Sequence, residues 1–224
     1  MYGKIYKMDL NYRTNLLFPV SVHQFDVNGF NEIKNQLIDY AYDLKKKDPE
    51  GATISNRGGW QSSGFSISDK DDVLHSFLIN CLSLFPTMKK TVRIKAEAWV
   101  NINKPGDYNV KHQHPDCNLS GVLWIKCPEN CGNIEFDNPN VFQTYMGFEN
   151  KVSKENVNIN QLIETQEIDS YTDDFKDKSN TYPAYGFPPT EGRILIFPAY
   201  LEHQVRKNKS NEDRISVSFN IQID

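Results

Sequence analysis

The 224-residue sequence is poor in several features, and each shortage excludes a class of protein. Four cysteines, Cys81, Cys117, Cys127 and Cys131, are too few for a disulfide scaffold at this length. No window approaches the ~18 consecutive apolar residues of a membrane helix. The opening stretch MYGKIYKMDL lacks the apolar run of a secretory signal, so a soluble, reduced, cytoplasmic protein without a membrane partner is the expectation. Neither sign of charge dominates: 25 basic side chains stand against 29 acidic ones, for a net charge of −4. Nucleic-acid-binding domains usually carry a basic excess, and a nucleic-acid partner is not expected. No internal repeat is present, and oligomeric state leaves no mark. The chain is long enough to bury one substantial core.

Hydrophobic spacing divides the chain. Residues 29–47 place Phe30, Ile33, Leu37, Tyr40, Ala41 and Leu44 at helical intervals, with Lys45–Lys47 at the end where positive charge suits the helix dipole. Pro49 and Gly51 then stop the helix. A second helix is predicted from near Ser68, with Asp71 and Asp72 in its first turn, to just before Pro86. The intervening SNRGGWQSSG, residues 55–64, reads as neither helix nor strand. From Thr91 the period becomes two: Val92, Ile94, Ala96, Ala98, Val100 and Ile102 alternate with polar or large residues, which predicts a long two-faced strand. Shorter strands are expected at 108–113, 119–126, 132–137, 193–197, 203–206 and 213–222. Many short strands without intervening helices point to an antiparallel sandwich, jelly roll or barrel.

Residues 149–181 are dominated by Asn, Lys, Glu, Asp and Ser. They read as a polar insertion, with one short helix near Leu162 and otherwise mobile loop. The whole is expected to be a single domain over residues 1–224: a helical region to residue 90, then a β core over 91–222 interrupted by the insertion at about 140–190.

Two of the five histidines fall in Lys111-His112-Gln113-His114-Pro115-Asp116. On an extended segment residues i and i+2 face the same way, roughly 7 Å apart at Cα, so both imidazoles can reach one metal ion. His203, on another predicted strand, is the candidate third ligand, and such a facial set leaves coordination positions free on one side of the ion. His23 and His75 have no partner in the pattern and read as structural. In DRISVSFNIQ, Arg214, Ser216, Ser218 and Asn220 share one face while Ile215, Val217, Phe219 and Ile221 share the other. If the apolar face packs on the helices, the polar face looks into the barrel. An inward arginine needs an anion, and its planar fork grips a carboxylate bidentately, with Ser216 a second donor. The alternative is an edge-strand arginine paired with Glu202 or Glu212. A competing zinc site would draw on His112, His114, Cys117, Cys127 and Cys131, although Cys127-x3-Cys131 departs from the usual two-residue knuckle.

Taken in order, Trp99-Val-Asn-Ile-Asn-Lys-Pro-Gly106, His112-x-His114-Pro-x3-Leu-Ser120-Gly121-Val, Gly132-x-Ile-x-Phe136, Gly192-Arg-Ile-Leu-Ile-Phe197-Pro-x4-His203-x-Val and Arg214-Ile-Ser216-x-Ser218-Phe219-Asn220 resemble the iron(II)- and 2-oxoglutarate-dependent oxygenases. The likeness is greatest to a 2-oxoglutarate-Fe(II) oxygenase subgroup of bacteria and phages, whose loop is also similar to Gly58-Gly59-Trp60-Gln61-Ser62. The resemblance implies a mostly β, double-stranded β-helix (jelly-roll) core with the N-terminal helices on its outer face. It implies Fe(II) bound by His112, His114 and His203, with Arg214 and Ser216 binding the far carboxylate of 2-oxoglutarate. The usual pattern is His-x-Asp or His-x-Glu with a distant His, so His114, Asp116 and His203 form an alternative register. A three-histidine site carries one more unit of positive charge than a two-histidine, one-carboxylate site.

The function these implications point to is a dioxygenase that hydroxylates an unidentified substrate and releases succinate and CO2. A small molecule or a protein side chain is the expected substrate. Two other readings stand beside it. One is a non-catalytic jelly-roll module with zinc or another metal at the histidines. The other is a three-histidine cupin-type dioxygenase that does not use 2-oxoglutarate, which leaves Arg214-x-Ser216 unexplained. Candidate pocket residues are Trp60, Gln61, Trp99, Asn101 and Trp124, with the aromatic run Tyr182 to Phe187 as a cover for the pocket mouth.

Overall fold

The computed structural model describes residues 19–68, 72–83, 94–140, 157–158, 167–168 and 184–223. In chain order the first elements are β1 (His23–Asp26), α1 (Asn31–Lys47), β2 (Asn56–Arg57), β3 (Trp60–Gln61), β4 (Phe65–Ser66) and α2 (Val73–Ser83). There follow β5 (Ile94–Asn103), β6 (Tyr108–His112), β7 (Leu119–Lys126), β8 (Ile134–Asp137), β9 (Val157–Asn158) and β10 (Glu167–Ile168). The last are β11 (Ala184–Phe187), β12 (Arg193–Pro198), β13 (His203–Val205) and β14 (Arg214–Ile223). Seven strands form one sheet in the order β1-β12-β7-β14-β5-β3, with β4 also on β5, and five form a second in the order β11-β8-β13-β6-β2. Every ladder is antiparallel. Strands β9 and β10 pair with each other and lie outside the unit of Ser21–Pro139 and Pro183–Asp224, which carries everything described below. The helix expected near Leu162 lies outside the described residues, as do Asp71 of the second predicted helix, the strand start predicted at Thr91 and the helix end near Pro86.

The alternation read in β5 and β14 separates two environments. Ala96, Ala98, Val100 and Ile102 of β5 and Ile215, Val217, Phe219 and Ile221 of β14 are buried in one hydrophobic cluster with Leu37 and Ala41 of α1 and Leu74 and Leu78 of α2. Both helices therefore cover the outer face of the larger sheet, as expected. The opposite face, carrying Trp99, Asn101, Arg214, Ser216 and Ser218, lines an internal cavity together with residues of the smaller sheet. Gly121 in β7 sits directly across from Phe219. A Cβ there would come within 2.3 Å of the Phe219 ring and 2.7 Å of the Leu195 carbonyl oxygen, so only glycine lets the phenyl ring fill the space.

Two expectations require correction. Residues 55–64 are not free of strand: they contain β2, paired with β6 of the smaller sheet, and β3, paired with β5 of the larger. Their own propensity is poor, but long neighbouring strands supply the hydrogen bonds, and Gly58 at φ +81° turns the chain from one sheet to the other. Helix α2 begins at Val73, later than Ser68, because Asp72 caps it. Asp72 Oδ1 accepts from the backbone N–H of Leu74 at 3.1 Å and of His75 at 3.0 Å. The same carboxylate bonds the buried His75 ring at 2.6 Å and accepts from Tyr40 at 2.9 Å, giving His75 the structural place expected of it. Burial works to raise the Asp72 carboxyl, but the hydrogen bonds from His75 and Tyr40 outweigh it and hold the group below the usual carboxylate range.

The fit at Gly121 yields a stability prediction. Gly121→Ala is expected to lower the free energy of unfolding by about 1–3 kcal/mol, read from urea titrations. An unchanged midpoint would contradict the tight seating of Phe219.

Candidate metal centre

His112 ends β6 and His203 begins β13, and antiparallel pairing sets the two directly opposite each other. Opposed residues present their side chains on the same face. The register then slips so that Val205 faces Asn109, a bulge of the kind that re-aims side chains. His114 lies just beyond β6, where its backbone N–H donates to the Ala199 carbonyl at 2.8 Å and the Ala199 N–H donates to the Asn118 carbonyl at 3.1 Å. These bonds tie the His114 loop to the β12–β13 connection. One ring nitrogen from each of His112, His114 and His203 lies within 4.8 Å of the other two. Ring centroids are 4.4 Å apart for His112–His203, 5.0 Å for His112–His114 and 5.3 Å for His114–His203.

Hydrogen bonds fix which nitrogens are free. Nδ1 of His112 lies 2.8 Å from the Val110 carbonyl, and Nδ1 of His203 lies 2.8 Å from the Leu201 carbonyl. A carbonyl only accepts, so each Nδ1 carries the proton and each Nε2 keeps a lone pair for a ligand. Burial lowers all three imidazoles, and mutual repulsion adds to it for His114 and His203: His114 falls to about 4 and His203 to about 3. The rings of Phe197 and Phe136, 4.9 and 5.7 Å from His203, supply much of that dry surrounding. Neutral imidazoles are the form that binds a cation. Asp116 is exposed and stands outside this cluster, so the fold assembles the first of the two registers. Among the described residues no cysteine joins a metal-capable group, so the mixed histidine–cysteine zinc site does not form.

Arg214 is 1% exposed and pairs with neither Glu202 nor Glu212, the partners its edge-strand alternative required. Glu212 bonds Lys126 at 2.8 Å, and Glu202 lies 3.8 Å from Lys111. Nη1 of Arg214 donates instead to the carbonyls of Cys131, Gly132 and Arg206, the latter two at 3.2 Å. Nη2 is buried with no acceptor among the described residues. Burial pushes the guanidinium below its ordinary value, only partly offset by the Cys131 and Cys127 thiols and Asp107. A buried cationic donor with no acceptor is costly, and an anionic oxygen supplies what it lacks. Ser216 and the three histidines line the same cavity. The donor set thus fits a ferrous ion, and the orphaned Nη2 fits a carboxylate.

The pocket candidates divide. Trp99, Asn101 and Trp124 line the inner cavity, and the Trp99 ring lies 5.9 Å from that of His114. Gln61 lines an outer cavity of about 330 Å³, which shares Ser55, Trp99, His112 and His114 with the inner one. Trp60 is a core residue instead, 7% exposed, its indole donating to the Asp48 carbonyl at 2.8 Å. The described part of the aromatic run, β11, extends the smaller sheet along β8 and lines neither cavity. It adds backbone pairing where a cover was expected. Sequence reasoning also missed Asn103, on the inward alternation of β5, and Asn109 with Ser55, which bond each other at 3.1 Å. The first was open to the period-two argument; nothing in the sequence marks the second pair.

Solved structures share this architecture. A prolyl-4-hydroxylase from Pseudomonas putida is similar over 91% of this chain and 92% of its own, with 11% identity and a TM-score of 0.58. The non-haem α-ketoglutarate-dependent carbocyclase SnoK of nogalamycin biosynthesis is similar over 92% and 80%, with 12% identity and a TM-score of 0.56. A prolyl hydroxylase from Trichoplax adhaerens, solved with a hypoxia-inducible-factor peptide, is similar over 89% and 83%, with 12% identity and a TM-score of 0.51. Likeness at these identities is one of fold, and the fold is the double-stranded β-helix. No curated protein matches the sequence. The profile of the family described as putative 2OG-Fe(II) oxygenase matches residues 97–220, more than half of the chain, and the protein belongs to that family. Its cofactors are Fe(II) and 2-oxoglutarate.

The carbonyl bonds to both Nδ1 atoms give a direct check. In metal-free protein at pH 7, side-chain ¹⁵N shifts of His112 and His203 should report neutral rings protonated at Nδ1. Protonation at Nε2, or doubly protonated rings, would contradict the ligand geometry.

Proposed function

We propose that the protein is a 2-oxoglutarate-dependent dioxygenase that hydroxylates a second substrate, with Fe(II) held by His112, His114 and His203 and 2-oxoglutarate held by Arg214 and Ser216. The observation that carries this reading is the buried, acceptor-less Nη2 of Arg214 in the wall of a cavity it shares with three converging imidazoles. When bound, ferrous iron supplies the redox chemistry that couples oxidative decarboxylation of 2-oxoglutarate to succinate and CO2 with hydroxylation of the other substrate.

The chain's own residues have distinct tasks. The carbonyls of Val110 and Leu201 hold the Nδ1 protons of His112 and His203, so both rings present Nε2 and neither can rotate without losing a hydrogen bond. Arg214 and Ser216 lie on the same face of β14, two residues apart, and offer a charge-assisted donor and a hydroxyl to the distal carboxylate. Three backbone carbonyls fix Nη1 beforehand, so little side-chain freedom is lost on binding. Val122, Ile134, Phe197 and Phe219 supply apolar wall to the cavity; a dry surround strengthens each polar contact within it. All three ligands being neutral, the protein contributes no negative charge to the metal, and the dianionic cosubstrate balances the ion.

Anaerobic titration tests the assignment. Fe(II) plus 2-oxoglutarate is expected to give a visible charge-transfer band in the wild type, and succinate should accumulate under air. Arg214→Ala should weaken 2-oxoglutarate binding about 10- to 100-fold, and Ser216→Ala, a milder change to the fold, should weaken it by a smaller factor. Retained metal binding with no band, no succinate and no effect of either variant would overturn the reading. His203→Ala should abolish stoichiometric iron retention after desalting, and full retention would remove His203 from the ligand set.

A further inference from the structure

In the walls of the inner and outer cavities the described charged side chains are Arg214 and Glu97, and Lys95 lies two residues beyond Glu97 on the same strand face, lining a neighbouring cavity with it. Residues Glu97, Trp99, Asn101 and Asn103 alternate along the inward side of β5, with Asn103 across from Arg214 and Glu97 across from Asn220. Six residues of strand separate the two ends by roughly 20 Å. The guanidinium lies at the enclosed end; Glu97, at the other, lines the outer cavity of about 330 Å³ beside Trp99, His112 and His114. That volume is at the lower end for small-molecule sites.

Among the described residues Glu97 is the one carboxylate in the wall of that cavity, and no lysine or arginine lines it. Its carboxylate makes no hydrogen bond or ion pair with any described residue, and it stands outside the histidine cluster. Gly64 makes room for it: a Cβ on Gly64 would come within 2.0 Å of Glu97 Oε1. The neighbouring Trp99 lines the same cavity, and an indole face attracts a cation. A carboxylate and an indole two residues apart on one strand face make a cation-binding pair, set between solvent and the metal ligands.

We infer that the second substrate carries a cationic side-chain nitrogen, an ammonium or a guanidinium, which Glu97 and Trp99 hold in the outer cavity while a carbon of the same molecule lies near the histidines. Glu97 is a specificity-determining residue on this account, and it plays no part in holding metal or cosubstrate. The inference rests on the oxygenase reading above and narrows it to one substrate class.

Calorimetric titration of protein loaded with Mn(II) and 2-oxoglutarate, where no turnover occurs, tests it. The probes are L-lysine and L-arginine, L-norleucine and L-citrulline, which keep the α-ammonium but have neutral side chains, and blocked tripeptides carrying lysine or norleucine at the centre. Glu97 is exposed at the cavity mouth, so at least one cationic probe should bind about 3- to 30-fold more tightly than its isostere with a neutral side chain. Preference for the free amino acid or for the peptide tells a metabolite from a protein side chain. Glu97→Gln should erase the preference, and Glu97→Lys should reverse it toward L-2-aminoadipate, with thermal unfolding showing that both variants fold. Equal binding of charged and neutral probes, no binding of any cation, or a preference that survives Glu97→Gln would overturn the inference while leaving the oxygenase reading intact. Failure of the wild type to bind 2-oxoglutarate would instead fell the oxygenase reading, and this inference with it.

Discussion

The pairing of β13 against β6 is the constraint on which the site depends. It sets His203 opposite His112 in neighbouring strands, so two of three metal-capable side chains are positioned by backbone hydrogen bonds without reliance on a loop. The third, His114, needs more help, and obtains it from the Ala199 carbonyl in the segment that leads into β13. One connection therefore supports both the distal histidine and the histidine outside the strand. Sites carried on strands hold their geometry better than sites on loops. Here the ladder of the smaller sheet does most of the positioning.

The larger sheet contributes the other half. Its outer face is hydrophobic because α1 and α2 lie on it, and its inner face is polar because it lines a cavity. Strand β14 carries both demands in strict alternation, and its pairing with β7 is irregular between Ile215 and Ser216, beside the inward guanidinium. Each sheet thus breaks its regular register at the residues that face the cavity, a place where bulges concentrate in β proteins. A buried arginine held by three carbonyls and left with a free nitrogen is poor economy for stability alone. It makes physical sense as one half of an interaction whose other half is a ligand.

Much of this was legible in the sequence where a long period or a short spacing carried the information. Alternation over β5 and β14 specified both faces, and His-x-His specified two neighbouring imidazoles. The pairing of His203 with His112 was out of reach, because register between distant strands is set by the turns and bulges that join them. The short strands β1 to β4 were invisible for a related reason: two to four residues hold no period, and their order comes from the partner strand. Trp60 misled because an indole next to a glycine turn looks the same whether it faces a cavity or the end of a helix. Asp116 stood only as an alternative, since a carboxylate two residues from a histidine fits a ligand motif until its exposure is known.

The proposed donor set of three neutral imidazoles would hold its cation without a protein carboxylate, leaving the metal one unit more positive than a two-histidine, one-carboxylate site and shifting its affinity and potential accordingly. X-ray absorption at the iron edge of the anaerobic Fe(II) protein tests this most directly. The account predicts outer-shell scattering from three imidazole rings in the wild type and from two in His203→Ala. Scattering from one ring or none in the wild type, or a spectrum indifferent to that substitution, would contradict it.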